Sequence, residues 1–137
     1  GGKKMTCFNY CKRNRWRATI ANAIPGVQTI ANAMSSAIKH RGPDDFGEWV
    51  DADEGIALGH RRLAILDLSK AGHQPMKSAT GRYIVVFNGE LYNHLIIRSE
   101  IDHQSNNTIS WKGHSDTETL ANAIEQFGIK KALKKRV

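Results

Sequence analysis

The apolar run Tyr83-Ile84-Val85-Val86-Phe87 and the residues after it, Asn88-Gly89-Glu90, constrain this chain more than any other stretch. The run is rich in β-formers and reads as a strand, and a helix-like run, from Leu91 on, leads away from it. A glycine at a strand end lets a backbone N–H approach a bound group closely, because no Cβ intervenes. Asn88 can aim a side-chain N–H the same way, and two such donors can hold a developing negative oxygen. Glu90 can hold a cation beside them. The same residues also fit a plain strand-to-helix turn, in which Asn88 caps the helix and Gly89 turns the chain.

A chain of 137 residues suffices for one domain with its own core. No apolar stretch approaches the roughly 20 residues that a membrane helix requires. The basic N-terminal stretch has no apolar segment behind it, which argues against a secretory signal. The two cysteines, Cys7 and Cys11, would close only a tiny loop if joined, so they staple nothing distant and suit a cytoplasmic protein. The net charge of +7 is unevenly placed: residues 1–43 hold eight Lys/Arg and no Asp/Glu, and Lys130 to Arg136 is basic again. The chain lacks an aromatic-studded RNA signature, zinc-finger spacing and a recognition-helix pattern, so nucleic acid is not expected as a partner. The basic ends read instead as solvated, frayed tails.

Residues 1–26 read as an irregular basic segment, in which Met5 to Arg17 has neither strand nor helix period. After Pro25-Gly26, the apolar residues Val27, Ile30, Ala31, Met34, Ala37 and Ile38 recur at helical spacing and predict a helix with that stripe buried, ending near His40. Gly47–Val50 and Gly55–His60 read as strands around an acidic hairpin tip, Asp51-Ala52-Asp53-Glu54, which lacks the glycine and distal Glu of a calcium loop. Arg61 to Leu68 reads as a further strand. Leu91 to Ile101 reads as a short helix with Leu91, Leu95 and Ile96 inward, and Thr108 to Trp111 as a short strand. Ser115-Asp116-Thr117-Glu118 has capping-box spacing and opens a helix that buries Leu120, Ile124 and Phe127, with Gly128 at its stop. Strands with helices bunched at the two ends indicate an α+β fold.

Five stretches taken in order carry a family resemblance: His40-Arg41-Gly42-Pro43-Asp44, Leu58-Gly59-His60-Arg61-Arg62-Leu63, Gly72-His73-Gln74-Pro75-Met76, Phe87 to His94, and Gly113-His114-Ser115-Asp116-Thr117-Glu118. Together they resemble the glutaminase domain of class II glutamine amidotransferases, nearest to the asparagine synthetase (glutamine-hydrolysing) branch, over residues 27–137. The resemblance implies an N-terminal-nucleophile fold, an αββα sandwich of two stacked antiparallel sheets between helices. It implies hydrolysis of glutamine to glutamate and ammonia, with the ammonia passing to a synthetase domain that uses ATP to amidate aspartate or a related acid.

Matching by position, the resemblance makes Arg62 the grip on the α-carboxylate of glutamine, for which its planar fork is suited. Glu90 and Asp116 would hold the α-ammonium, and the Asn88 side chain and Gly89 N–H would form the oxyanion hole. Each residue also has an ordinary part to play: Arg62 could pair with Asp67 or Glu48, and Asp116 could be a first-turn acid favourable to a helix dipole. No metal site is expected, and His40, His60, His73, His94 and His114 are expected to fix loops by hydrogen bonds. No cofactor is expected in this domain; ATP and magnesium would serve only the synthetase part.

The two ends depart from the family pattern. The family nucleophile is an N-terminal cysteine whose own α-amine, titrating at about 7.7–8.0, takes the thiol proton. Cys7 is the better placed candidate and Cys11 the second, but Met5 to Tyr10 does not match the family's opening. With residues ahead of it, the Cys7 nitrogen is an amide and cannot serve as base. The family domain also continues into further strands, and the synthetase pyrophosphate loop does not occur, so the fold is expected to be truncated and this polypeptide to release little or no ammonia alone. The alternative is a catalytically inactive relative that binds glutamine or a partner.

Overall fold

A computed structural model describes residues 4–9, 19–22, 26–63, 70–106 and 109–135; of 4–9, 19–22 and Val27 it gives the backbone alone. The apolar run is a strand as its sequence predicts. It is β6 (Tyr83–Asn88), the middle of a sheet, flanked by β1 (Lys4–Asn9) and β5 (Met76–Lys77). A second sheet places β4 (Ile56–Arg62) between β2 (Thr19–Asn22) and β3 (Asp45–Asp51). The helices are α1 (Val27–Ala37), α2 (His94–Gln104), α3 (Asp116–Phe127) and α4 (Ile129–Lys134). The chain is thus a mixed α+β fold, and no helix among its described residues is long and apolar enough to cross a membrane.

Side-chain alternation along the strands sorts these elements into layers. On one face of β6, Ile84 and Val86 meet Leu58 of β4, with Trp49 of β3 beside them. On its other face, Tyr83, Val85 and Phe87 join Ile97 and Ile101 of α2, Leu120 and Ile124 of α3 and Ala132 of α4. The far face of the second sheet presents Ala57 and Val50 to Ala31 of α1. Because both faces of β6 are covered, all five of its apolar residues are buried.

The β3–β4 hairpin with its turn at 52–55 forms where alternation and the acidic tip predict it. Several other expectations are corrected. Two strands, β1 and β2, lie in the segment read as irregular; each is defined by its partner rather than by its own pattern. β1 runs parallel to β6, so the first sheet is mixed rather than antiparallel. Arg61 and Arg62 end β4 instead of opening a new strand, and residues 64–69 lie outside the described residues.

α1 is rotated away from the centre of its apolar stripe: Ala31 of the stripe is buried as expected, with Ser35 beside it, while Ile30 and Met34 are 39% and 46% exposed. The cause is a close helix–sheet approach at Gly59, where an added Cβ would stand 2.3 Å from Ser35 Oγ. Small residues at the contact outrank larger apolar ones, because only they let the backbones come this near. In α2, Ile97 and Ile101 face inward and Leu91 is buried, but Leu95 and Ile96 are 63% and 64% exposed, against expectation. Residues 109–112 form no strand. The Lys112 N–H donates to Glu118 and the Trp111 Nε1–H to Asp102, so the segment bonds to side chains instead of a ladder. The basic tail from Lys130 is not frayed up to Lys135: it forms α4, buries Ala132, pairs Lys135 with Glu100 and lays Lys135 Nζ 4.9 Å from the Phe127 ring.

Candidate functional site

β6 ends at Asn88, which is half-buried, and delivers Gly89 and Glu90 to the surface. The plain-turn reading of these residues does not hold. α2 starts only at His94 with Asn93 at its N-cap, so Asn88 caps no helix. Gly89 is not among the glycines with positive φ, so its backbone conformation does not require glycine. An added Cβ there would stand 3.0 Å from the Phe87 ring and otherwise face outward. The absent side chain leaves the Gly89 backbone open to close approach.

α3 brings the second carboxylate to the same place. Asp116, its first residue, accepts the Leu91 N–H on Oδ2 at 2.9 Å, and its Oδ1 takes a long 3.4 Å contact from Thr117 Oγ1. Glu90, the neighbour of Leu91, accepts the Tyr92 hydroxyl, a hydrogen bond that holds that phenol above its usual pKa. The segments carrying Glu90 and Asp116 are therefore tied directly together. The Ser115–Glu118 stretch opens α3 as predicted, but Ser115 makes no side-chain cap bond. Glu118 reaches the other way, accepting the Lys112 N–H at 2.7 Å and the Gly113 N–H at 3.1 Å.

Arg98 of α2 completes this corner. Its guanidinium donates to Gly113 O at 2.7 Å, Ser115 O at 3.3 Å and Thr119 Oγ1 at 3.2 Å, pairs with Glu118 at 3.7 Å and stacks 4.1 Å over the Trp111 ring. Burial pushes it below its usual pKa, opposed by Glu118 and Asp102. The sequence carries no local signal for this role, since every partner is remote or on another element.

Gln74 holds the site from the side of the first sheet. Its buried amide accepts the Phe87 N–H at 2.7 Å and donates to Phe87 O at 3.0 Å and Thr117 Oγ1 at 3.3 Å. One side chain thus stitches the loop before β5 to the residue preceding Asn88 and to the residue following Asp116. Gln74→Leu is expected to lower stability by about 2–4 kcal/mol, since it strands both Phe87 backbone groups in the core; urea unfolding midpoints check this.

Arg62 stands at the end of β4, level with Asp45 of β3, and its guanidinium rests on Gly72, where an added Cβ would stand 2.5 Å from Nη2. Of the surface pairings considered for it, the Glu48 carboxylate takes the Gln28 amide, and Asp67 lies outside the described residues. His73 Nδ1 and Asp45 Oδ2 are 2.8 Å apart, a loop-fixing contact of the kind expected. His60 is held down to about 4, by burial first and by the nearby His73 and Arg62 charges, against the opposing pull of Asp45. Among the described residues no three His, Cys, Asp or Glu side chains stand together as a metal site.

Cys7 lies in β1, its Cα level with Val86, and Asn9 is level with Asn88. The parallel pairing puts Cys7 about 7 Å along the strand from the Asn88 rung. Cys11 lies outside the described residues. The structure thus ties Asp116 to Leu91, the residue after Glu90, joins Phe87 and Thr117, the neighbours of Asn88 and Asp116, through Gln74, and sets Arg62 against Gly72 of the loop that carries Gln74.

β6 ends at Asn88 and leads through Gly89 and Glu90 to Leu91, which Asp116 at the start of α3 anchors. The family model described as a glutamine amidotransferase domain matches residues 18–136, and the chain belongs to that family. Several of its curated relatives are named as asparagine synthetases. A putative glutamine-hydrolysing asparagine synthetase of Methanocaldococcus jannaschii is 36% identical over 118 residues, 74% of this chain and 22% of that protein. One from Mycobacterium bovis is 39% identical over 109 residues, 74% of this chain and 16% of its own length. Asparagine synthetase 1 of Bacillus subtilis is 33% identical over 122 residues, 85% of this chain and 18% of its own length. The chain thus spans about a fifth of the length of these relatives. No solved structure gives a significant match.

Proposed function

We propose that this chain is the glutaminase part of an asparagine synthetase-like amidotransferase, with an N-terminal-nucleophile sandwich fold, hydrolysing glutamine to glutamate and ammonia. The observation that supports this reading most is the Asp116–Leu91 bond, which ties the start of α3 to the stretch that follows Asn88, Gly89 and Glu90. Glutamine fits such a place: an ammonium for Glu90 and Asp116, a carboxylate for Arg62, and a side-chain carbonyl for the Asn88 and Gly89 N–H groups. In a form that begins at the cysteine, the α-amine takes the thiol proton, the thiolate attacks that carbonyl carbon, and the proton passes to the amide nitrogen as the oxyanion collapses and the C–N bond breaks to release ammonia; water then hydrolyses the resulting thioester, giving glutamate and restoring the thiol. The ammonia then serves ATP-dependent amidation of aspartate or a related acid in a synthetase part, where ATP and magnesium belong. We place this chemistry in the cytoplasm.

The second reading, a relative that binds glutamine or a partner without turning it over, is favoured by Cys7, which is preceded by other residues and pairs within β1. Calorimetry and ammonia release separate the two. Both readings that bind glutamine expect binding of L-glutamine that Arg62→Ala and Asp116→Ala each weaken at least tenfold. The glutaminase reading adds that a form processed to begin at Cys7 releases ammonia and that its Cys7→Ser variant does not. Binding without release from the processed form supports the second reading, and the absence of glutamine binding rejects the glutaminase reading and the glutamine-binding form of the second.

A further inference from the structure

We propose that Gly72 and the His73–Asp45 pair are positioning residues for Arg62: together they form the bed on which its guanidinium rests and so set the affinity for glutamine. This rests on the glutamine reading of Arg62. Nothing in the family match gives these three residues a role, and the geometry carries it.

Gly72 is buried, and its φ is not positive, so its backbone conformation does not explain the glycine. What a side chain would meet there is Arg62: an added Cβ would stand 2.5 Å from Nη2, 2.7 Å from Cζ and 3.2 Å from Nε. The guanidinium therefore lies directly on this backbone, and the height of the backbone fixes the height of the fork. A carboxylate bound by two parallel N–H groups tolerates little displacement of that fork.

The bed itself is clamped. His73, the next residue, contacts Asp45 at 2.8 Å, and Asp45 is level with Arg62 across the β3–β4 ladder. At Gly47 of β3 an added Cβ would meet Gln74 O at 1.9 Å and His73 Nε2 at 2.7 Å, so the loop lies flat on the strand. The His73–Asp45 side chains are 47% and 31% exposed, so the contact contributes little to stability while fixing loop position.

The test uses the full chain, with L-glutamine as ligand and the Arg62 Nε–Hε signal in nitrogen-15 NMR spectra as a direct report on the guanidinium. Gly72→Ala displaces only the far end of a flexible side chain, so its urea midpoint should stay near that of the parent. Its Kd for L-glutamine should rise at least tenfold, and the Arg62 signal should shift. His73→Ala should weaken binding several-fold, and His73→Asn, whose Nδ2 can still reach Asp45, should restore most of the loss; a purely structural contact would not give that recovery in affinity at constant stability. The proposal is overturned if the Arg62 signal stays unmoved in Gly72→Ala, or if that variant keeps full affinity while Arg62→Ala has lost it. If Arg62→Ala itself binds as tightly as the parent, the glutamine role of Arg62 fails, and the Arg62 signal alone decides whether Gly72 positions it.

Discussion

Arg98→Ala is expected to lower the unfolding free energy by about 3–5 kcal/mol, more than any other single truncation near the site. The Arg98 and Glu118 side chains are only 12% and 7% exposed, so removing the cation leaves a carboxylate with little water to replace it. The Gly113 and Ser115 carbonyls lose their donors at the same time, and Trp111 loses the plane stacked on its ring. Glu118 would keep its two backbone N–H donors, which sets the effect within that range rather than above it. Arg98→Lys should recover only part, because a single ammonium cannot serve two carbonyls, a hydroxyl and a carboxylate in the geometry of a planar fork. Urea unfolding of the three proteins measures this directly. Since the residues that Arg98 grips lead into Asp116, the same variants should also weaken glutamine binding.

Mild acid should destabilise the protein through His60. Its folded pKa of about 4 lies below the ordinary 6.5, so between these values the unfolded chain takes up a proton that the folded one refuses. Stability contributed by the neutral imidazole is complete above about pH 6.5 and falls as the pH drops toward 4, by about 3 kcal/mol over the window. Burial is the main cause, reinforced by the His73 and Arg62 charges and opposed by Asp45. His60→Gln removes the proton uptake, so its unfolding free energy should change less between pH 7 and pH 4.5, by about 2–3 kcal/mol. Equal pH slopes in the two proteins would refute this assignment.

What could be read from the sequence was whatever depends on local pattern. The β6 run, the β3–β4 hairpin around Asp51–Glu54 and the start of α3 at Asp116 follow from composition, alternation and turn chemistry, and the structure has each of them. The inward face of α1 was not legible. Hydropathy puts Ile30, Ala31 and Met34 on one buried stripe, but the contact is decided by Gly59 on another element, which admits the small Ala31 and Ser35 and leaves Ile30 and Met34 exposed. α2 repeats the lesson: Leu95 and Ile96 are apolar, yet Ile97, Arg98 and Ile101 meet the core and α3. The motif order identified Asn88, Gly89, Glu90, Asp116 and Arg62 as site candidates because those residues lie in short, contiguous signatures. The residues that hold them act through partners that no short motif displays: Gln74 reaches 13 and 43 residues along the chain, Arg98 reaches 15 to 21, and Gly72 meets Arg62 from another element. Glu118 shows how a correct signature can be put to another use: its spacing is that of a capping box, but its carboxylate secures 112–113.

The central claim is that one glutamine molecule is held jointly by Arg62, the Asn88–Glu90 stretch and Asp116. Titrating the nitrogen-15-labelled chain with L-glutamine tests it in one measurement. The account predicts that the signals of Arg62, Gly89, Glu90 and Asp116 move together along a single binding curve, while those of the hairpin turn at 52–55 stay still. Saturation with shifts confined to other residues, or no shift at millimolar glutamine, would contradict it.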